Sequence, residues 1–282
     1  MNSEQRTVNS VGKLYVCPTP IGNLEDITLR TLRVLREVDI IACEDTRHSL
    51  RLLNHYEIKK PLTSYHEHNV KEKGPELIRK LIDGNNIAII TDAGMPGISD
   101  PGEDLIKLAI AKDIEVIALP GPTASITALV VSGLNTDKFV FEGFLPSKKK
   151  DRIKELEALG DERRTIIFYE SPHRVINSME DMLQVLGNRN MAVCREITKH
   201  YEEIFRGSIE AALIRFNQGD VKGEFVIIVE GNKSVAEEIE VDIQAELVKH
   251  LENGLTKKEA IKRVVEEKNI PKNTVYAESL KL

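Results

Sequence analysis

The chain has 282 residues, of which 41% are hydrophobic and 30% are charged, proportions that are ordinary for a globular protein. Its formal net charge of −6 provides no overall positive field for nucleic acid, although a local basic patch would be enough to bind it. The three cysteines are far apart and form no C-x-x-C pair, which argues against a disulfide framework or structural zinc and favours a cytoplasmic protein.

The first part of the chain alternates between short apolar runs and amphipathic helical patterns. Residues 1–12 lack an apolar core, and we expect them to be disordered. Between residues 13 and 135, buried runs such as IAII (87–90) alternate with helical patterns such as TLRTLRVLREV (28–38). This alternation predicts an α/β domain whose mostly parallel sheet carries helices on both faces.

The pattern changes in residues 136–231, where strand-like stretches outnumber the helical ones. The stretches at 191–199 and 201–208 have almost no linker between them, which predicts an antiparallel hairpin. We therefore predict a second α/β domain built on a mixed sheet.

The end of the chain has a helical pattern. Residues 232–242 are polar and acidic, as is typical of a linker. Residues 243–282 contain three short helical segments, separated by turns at Gly254 and Pro271. This order predicts a small extension of the helix-turn-helix type.

A glycine-rich loop, TDAGMPGISDPG (91–102), follows one of the buried runs. It holds no lysine or arginine, and its glycine spacing matches neither a Walker loop nor a dinucleotide fingerprint. Asp92 and Asp100 would repel a pyrophosphate. The loop therefore favours a neutral or cationic small molecule over a nucleotide phosphate, and the alternative is a tight turn that only ends a strand.

The loop CEDTRHS (43–49) follows the second predicted strand. Carboxyl ends of parallel strands are where open α/β sheets bind ligands, and this loop concentrates acidic and basic groups there. This position favours a functional role. Asp45 or Thr46 can also serve as the N-cap of the next helix, and the two roles are compatible.

The loop SYHEHN (64–69) places His66 and His68 on either side of a carboxylate. H-x-H spacing can bind metal, but no third ligand is obvious in the sequence, and we predict no metal site. A histidine acting as a general base or contacting RNA is preferred over a metal ligand, and a polar surface loop is an equal alternative.

Several further motifs at the ends of predicted strands lack a specific chemistry of their own. The loop near Pro20 carries prolines in place of a phosphate-binding glycine turn. The lysines at 148–150 are typical either of a solvated face or of a surface that grips phosphates. The position that these motifs share is more informative than any one of them.

Taken together, eight motifs in chain order resemble the tetrapyrrole methylase-like family of S-adenosylmethionine-dependent methyltransferases, and within it the members that modify ribosomal RNA. The motifs are PTPIGNLEDIT, CEDTR, SYHEHN, TDAGMPGISDPG, LPGPTASITAL, EGFLP, FYESPHR and KGEFVIIVEG.

The resemblance implies two α/β domains of the tetrapyrrole methylase type, with the cofactor in the cleft between them, a helical extension and a homodimer. It also implies 2′-O-methylation of a cytidine ribose in 16S rRNA at the decoding centre, with 16S rRNA or the small ribosomal subunit as partner. The methyl donor would be S-adenosylmethionine and the product S-adenosylhomocysteine. Carried onto this sequence, the implied cofactor contacts are Pro20, Asp92, Gly94, Met95, Gly97, Ile98, Thr123, Ala124, Tyr169 and Gly223.

Methylation of a ribose hydroxyl is helped by a base that removes its proton. Polarity and strand-end placement make Glu44, Asp45 and His66 the candidate bases. The RNA-facing candidates are Arg47, His68, Lys148, Lys149 and Lys150.

Two alternative functions remain open from the sequence. A methyltransferase of the same fold could act on a tetrapyrrole or another small molecule, although such an enzyme has no use for a nucleic-acid-binding appendage. The chain could also be a non-catalytic RNA- or ribosome-binding factor, which would not need a cofactor.

Overall fold

The computed structural model describes residues 11–219, 221–233, 242–268 and 272–282. Most of the predicted disordered N-terminus and of the predicted linker at 232–242 lies outside the described residues. The chain divides into two compact units, Met1–Gly231 and Asn232–Leu282. Within the described ranges, no helix is long and apolar enough to cross a membrane.

The first half of the larger unit holds a parallel sheet and its helices. The described strands are β1 (Leu14–Val16), β2 (Ile40–Cys43), β3 (Leu62–Ser64), β4 (Ile87–Ile90) and β5 (Val116–Ala118), in the spatial order β3-β2-β4-β1-β5. The helices are α1 (Leu29–Glu37), α2 (Thr46–His55), α3 (Val70–Ile82), α4 (Glu103–Ile110) and α5 (Ala124–Ser132), with a short 3-10 helix at Leu24–Asp26. Every strand pair in this sheet is parallel, as the alternating pattern predicts.

Helices cover both faces of this sheet, and successive side chains along a strand point to opposite faces, so both sets of side chains are buried. Leu14 and Val16 pack with the apolar residues of α3 and α4. Cys17 and Ile41 pack on the other face with residues of α1 and α2. All four residues of the central strand β4 are buried, which explains its continuous apolar sequence. The carboxyl ends of the five strands consequently share one edge.

The second sheet of this unit is mixed, as predicted. Its described strands are β6 (Phe139–Phe144), β7 (Thr165–Glu170), β8 (Asn190–Arg195), β9 (Glu203–Ser208) and β10 (Phe225–Val229), in the order β6-β7-β10-β8-β9. The helices are α6 (Lys149–Ala158), α7 (Val175–Leu186) and α8 (Ile209–Phe216). Strands β6 and β7 are parallel and the other pairs are antiparallel, including the predicted β8–β9 hairpin.

The helices that cover the second sheet come from both halves of the unit. One face packs against α6, α7 and α8 around Phe168 and Ile227. The other face packs against α5, whose Ala128 and Leu129 lie in one cluster with Ile167. Sequence order groups α5 with the first sheet, in the predicted domain 13–135, but its buried side chains lie on the second one. The division into 13–135 and 136–231 stays a prediction.

The smaller unit contains α9 (Ile243–Glu252), α10 (Lys257–Lys268) and α11 (Lys272–Ser279). The three helices share a small core of Leu247, Ala260, Ile261, Val264 and Val275. Before α10, the backbone N–H of Thr256 donates to Glu259 Oε2 over 2.9 Å, and the Glu259 N–H donates to the Thr256 hydroxyl over 3.4 Å, which together form a capping box. The predicted helical extension is therefore present.

Candidate functional site

A cavity of about 390 Å³ lies where loops of the two sheets meet in the larger unit. The first sheet contributes loops from the carboxyl ends of its strands, the position at which open parallel sheets bind ligands. The second sheet contributes the ends of β6, β7 and β8 and the start of β10. The lining residues are Ile21, Glu44, Asp92, Ala93, Gly94, Met95, Ile98, Ser99, Asp100, Thr123, Ala124, Phe144, Tyr169, Glu170, Ser171, Pro172, Cys194, Ile197, Glu224, Phe225 and Val226.

Two sequence motifs, PTPIG and TDAGMPG, pair with each other beside this cavity. The backbone N–H of Thr19 donates to the Gly94 carbonyl over 2.9 Å, and the Gly94 N–H donates back over 3.0 Å. The Thr19 hydroxyl also donates to the Thr91 carbonyl over 3.0 Å. The prolines around Thr19 therefore belong to a rigid segment that holds the glycine-rich loop in place.

The glycine-rich loop depends on backbone conformations that most residues avoid. Gly97 and Gly102 have φ of +83° and +143°, and Ser99 adopts a φ of +62° although it has a side chain. A Cβ at Gly102 would lie 3.1 Å from the Gly97 nitrogen, so the two glycines allow one close backbone approach. Gly97 does not line the cavity itself but shapes the loop that does. Such conformations are typical of ligand-binding loops.

Carboxylates concentrate on one side of the cavity. Glu44 and Asp92 lie near each other, at the ends of β2 and β4. Asp92 Oδ1 is buried and has no hydrogen-bond partner among the described residues. Burial and the nearby carboxylates of Glu44, Asp92 and Glu224 raise the pKa of Asp100 to about 7. Burial and Asp92 likewise raise the pKa of Glu44. The carboxyl groups of Glu44, Asp92 and Asp100 have no ion pair among the described residues, so their ionised forms would be stabilised by a cation bound in the cavity.

Aromatic side chains form another part of the wall. The Tyr169 ring meets the rings of Phe141 and Phe144 edge-on, with centroids 4.9 and 5.6 Å apart. The Ser125 N–H donates to the Tyr169 hydroxyl over 3.1 Å, which ties the first turn of α5 to β7. An acidic side and an apolar side suit a ligand that is both cationic and partly hydrophobic.

The acid and the arginine of the motif FYESPHR, Glu170 and Arg174, form an ion pair. Glu170 is almost fully buried, and it accepts hydrogen bonds from the Ser178 hydroxyl at 2.6 Å and from the Ser171 N–H at 2.8 Å. Arg174 lies 3.4 Å from the same carboxylate and also donates to the Leu145 carbonyl. This network holds the loop after β7 in place, and Ser171 and Pro172 of that loop line the cavity.

Gly223 contacts another loop of the second sheet and does not line the cavity. A Cβ there would lie 2.6 Å from the Glu196 carboxyl group, and the residue has a φ of +96°. Lys199 bridges Glu196 and Glu224 at 2.8 and 2.9 Å. Gly223 therefore positions Glu224, which does line the cavity.

The three candidate bases occupy different environments. Glu44 lines the cavity. Asp45 is the N-cap of α2, and its side chain accepts hydrogen bonds from the N–H groups of Arg47 and His48. The predicted capping role is therefore confirmed, and these hydrogen bonds lower the pKa of the Asp45 carboxyl group. His66 lies near Glu44 but does not line the cavity. The Nε2 atom of His66 lies 3.3 Å from Asn69 Nδ2.

The RNA-facing candidates lie outside the cavity. The side chain of His68 is 82% exposed, and Arg47 is exposed on α2. Lys148, Lys149 and Lys150 begin α6, where Lys149 lies 3.4 Å from Asp181. The buried Arg152 holds this segment by donating to Asp181 over 2.7 Å and to two carbonyls of the preceding loop.

Several lining residues are absent from the sequence prediction. Ser99 and Asp100 belong to the quoted loop, and the acidity of Asp100 is a signal that points to them. Cys194, Ile197 and Val226 come from β8, its following turn and β10, and nothing in their local pattern distinguishes them from ordinary core residues. Among the described residues, no cluster of three or more His, Cys, Asp or Glu side chains is arranged to hold a metal.

Sequence comparison relates the chain to known proteins. A profile of Tetrapyrrole (Corrin/Porphyrin) Methylases matches residues 13–213. A protein of Halalkalibacterium halodurans named Ribosomal RNA small subunit methyltransferase I is 49% identical over 270 residues, which cover 94% of this chain and 93% of that protein. A Bacillus subtilis protein of the same name is 45% identical over 276 residues, covering 95% and 94%.

Structural comparison supports the same fold. A cobalamin biosynthetic enzyme, cobalt precorrin-4 methyltransferase, superposes with a TM-score of 0.57 and 16% sequence identity, over 77% of this chain and 94% of the enzyme. At that identity the likeness concerns the fold alone. It agrees with the two α/β sheets that the sequence predicts.

Proposed function

The chain belongs to the tetrapyrrole (corrin/porphyrin) methylase family, and from this premise we propose that it methylates small-subunit ribosomal RNA with S-adenosylmethionine as donor. The observation that carries the proposal is identity of 45–49% to proteins named for this reaction, over more than nine tenths of both chains. The cobalt precorrin-4 methyltransferase shares only 16% identity with this chain, so the likeness supports the same fold but not the same substrate.

The residues of the cavity fit a sulfonium cofactor. When bound, S-adenosylmethionine supplies an electrophilic methyl group on a cationic sulfur. The carboxylates of Glu44, Asp92 and Asp100 offer charge complementary to that cation, and the buried Asp92 Oδ1 lacks a partner among the described residues. Tyr169 and Phe144 provide apolar surface for the uncharged part of the molecule. Among the described residues of the wall there is no lysine or arginine, which agrees with a ligand that has no phosphate.

We assign the reaction to the 2′-hydroxyl of a cytidine ribose at the decoding centre, as the family resemblance implies. A ribose hydroxyl is a poor nucleophile, and a carboxylate that accepts its proton while the new bond forms would assist the attack. Glu44 and Asp100 both line the cavity, and the pKa of Asp100, about 7, is near the pH at which such a base works best. Positioning of the hydroxyl against the methyl group would supply much of the remaining acceleration.

Assembly and location follow the same line of reasoning. We expect a homodimer in the cytoplasm. Ile126 and Val130 lie one turn apart on α5 and are 45% and 70% exposed, so this helix presents apolar surface that a second copy could cover.

The proposal is tested by incubating the protein with small ribosomal subunits and methyl-labelled S-adenosylmethionine. Because 2′-O-methylation blocks alkaline cleavage, the label should remain in an alkali-resistant dinucleotide. Label in a base would assign a different methylation, and no label with either free 16S rRNA or assembled subunits would contradict RNA methylation.

A matched pair of variants links the activity to the cavity. Ala93 is exposed and lines the cavity, and Ala93→Trp should abolish methyl transfer by filling it. Ala111 is also exposed but follows α4 away from the cavity, so Ala111→Trp should retain full activity. Equal activity of the two variants would move the reaction to another part of the protein.

A further inference from the structure

A second cavity, of about 520 Å³, adjoins the first one. The two share Ile21, Asp92, Ala93 and Glu224, so they meet along one boundary. Its volume lies within the range of small-molecule sites, which spans about 300–1,000 Å³. The remaining wall consists of Pro20, Gly22, Leu24, His48, Arg51, Leu52 and Lys199. Pro20, a predicted cofactor contact, therefore lies on this second cavity.

The charges of the second cavity are segregated. Asp92 and Glu224 lie at the boundary with the first cavity, whereas His48 and Arg51 lie on helix α2. The spacing of three residues places His48 and Arg51 on the same face of that helix. Arg51 has no hydrogen bond or ion pair with any described residue, while Lys199 is neutralised by Glu196 and Glu224. The α2 end therefore offers a positive charge that is available to an anion.

Building on the proposed function, we propose that the second cavity is the subsite for the target nucleotide of the RNA, with Arg51 and His48 binding its phosphate. An anion would be repelled by Asp92, whose carboxylate has no ion pair among the described residues, and attracted by Arg51. The phosphate is thus directed to the α2 end, and the sugar is directed to the boundary that both cavities share. This polarity brings a ribose hydroxyl toward the methyl donor's cavity, near the carboxylate of Asp92.

Apolar residues of the second cavity complete the fit. Pro20, Leu24 and Leu52 provide surface for the face of a base. The base of a nucleotide inside a folded RNA reaches such a surface only after it leaves its stack, as it does in enzymes that extrude their target nucleotide. Leu24 is 38% exposed at the 3-10 helix and is therefore accessible from solvent.

The first test removes the charge. Arg51→Gln should weaken binding of small ribosomal subunits about tenfold and reduce the slope of log affinity against log salt by about one. Arg51→Lys should restore most of the affinity. Arg79→Gln is the matched control, because Arg79 is also exposed and has no ion pair among the described residues, but lies on α3 at the opposite face of the sheet. Affinity for S-adenosylmethionine, measured by calorimetry, should not change in any of these variants.

The second test fills the subsite. Leu24→Trp should prevent methyl transfer and leave binding of S-adenosylmethionine intact, whereas Leu29→Trp, at an 86% exposed residue of α1, should be active. Equal RNA affinity of the Arg51→Gln and Arg79→Gln variants, or full activity of Leu24→Trp, would overturn the subsite. Wild-type protein that binds subunits through Arg51 but transfers no methyl group would overturn the proposed function while supporting the subsite. Wild-type protein that binds neither subunits nor 16S rRNA would overturn both.

Discussion

Replacing Asp100 by asparagine should separate the charge of the cavity from its shape. Burial and the carboxylates of Glu44, Asp92 and Glu224 raise the pKa of Asp100 from 3.8 to about 7. A difference of this size corresponds to at most about 4 kcal/mol, since each pKa unit is worth about 1.36 kcal/mol. Asp100 is partly exposed, so water screens part of this energy.

The sign of the effect follows from the raised pKa. The folded protein holds the proton of Asp100 more tightly than the unfolded chain, so the contribution of this group to stability is full below about pH 4. It is lost as the pH rises to about 7. Asp100→Asn should therefore increase the free energy of unfolding by up to about 4 kcal/mol at pH 8 and leave it unchanged at pH 4. Urea unfolding at the two pH values measures both quantities.

The same residue should couple cofactor binding to pH. A sulfonium cation favours the ionised carboxylate, so S-adenosylmethionine should bind about tenfold more tightly at pH 7.5 than at pH 5.5 and release protons on binding. S-adenosylhomocysteine has a neutral sulfur and is the matched control ligand, because its affinity should change much less. Calorimetry in buffers of different ionisation enthalpy measures the proton release. The reasoning is refuted if both ligands show the same pH dependence, or if Asp100→Asn retains that of S-adenosylmethionine.

Other predictions concern parts of the chain around the cavity. Asp181→Asn leaves the buried Arg152 without its ionic partner and should lower the free energy of unfolding by about 3–5 kcal/mol in urea titrations; an unchanged midpoint would contradict this. Neutralising the side chains of Lys148, Lys149 and Lys150 should weaken RNA binding and reduce its salt dependence in filter-binding assays. A large loss of cofactor affinity would show that this loop serves the cofactor instead. Burial raises the pKa of Cys17 and Cys194 to about 12, so both should resist a disulfide reagent at pH 8 and react only after unfolding.

The order and type of the elements follow from local patterns in the sequence. Both faces of the parallel strand β4 are buried, so all four of its residues are apolar, and this local run is enough to predict a buried strand. The capping box of Thr256 and Glu259 and the β8–β9 hairpin are equally local. The glycine-rich loop at 91–102 is also identifiable from its own sequence, because it contains no lysine or arginine and carries two aspartates.

The tertiary structure decides which side chains share the cavity. Helix α5 packs on the second sheet although it follows the first, because a helix that is apolar on most sides can be covered by either. Cys194 and Val226 reach the cavity through pairing of β8 with β10, a contact between distant segments that no local pattern encodes. Asp45 caps helix α2, and its role as a base stays a prediction. Sequence therefore identified several loops that line the cavity, whereas only the packing of the two sheets determined which residues of those loops face one another. The physical reason is that a cavity is defined by contacts between segments that are remote along the chain.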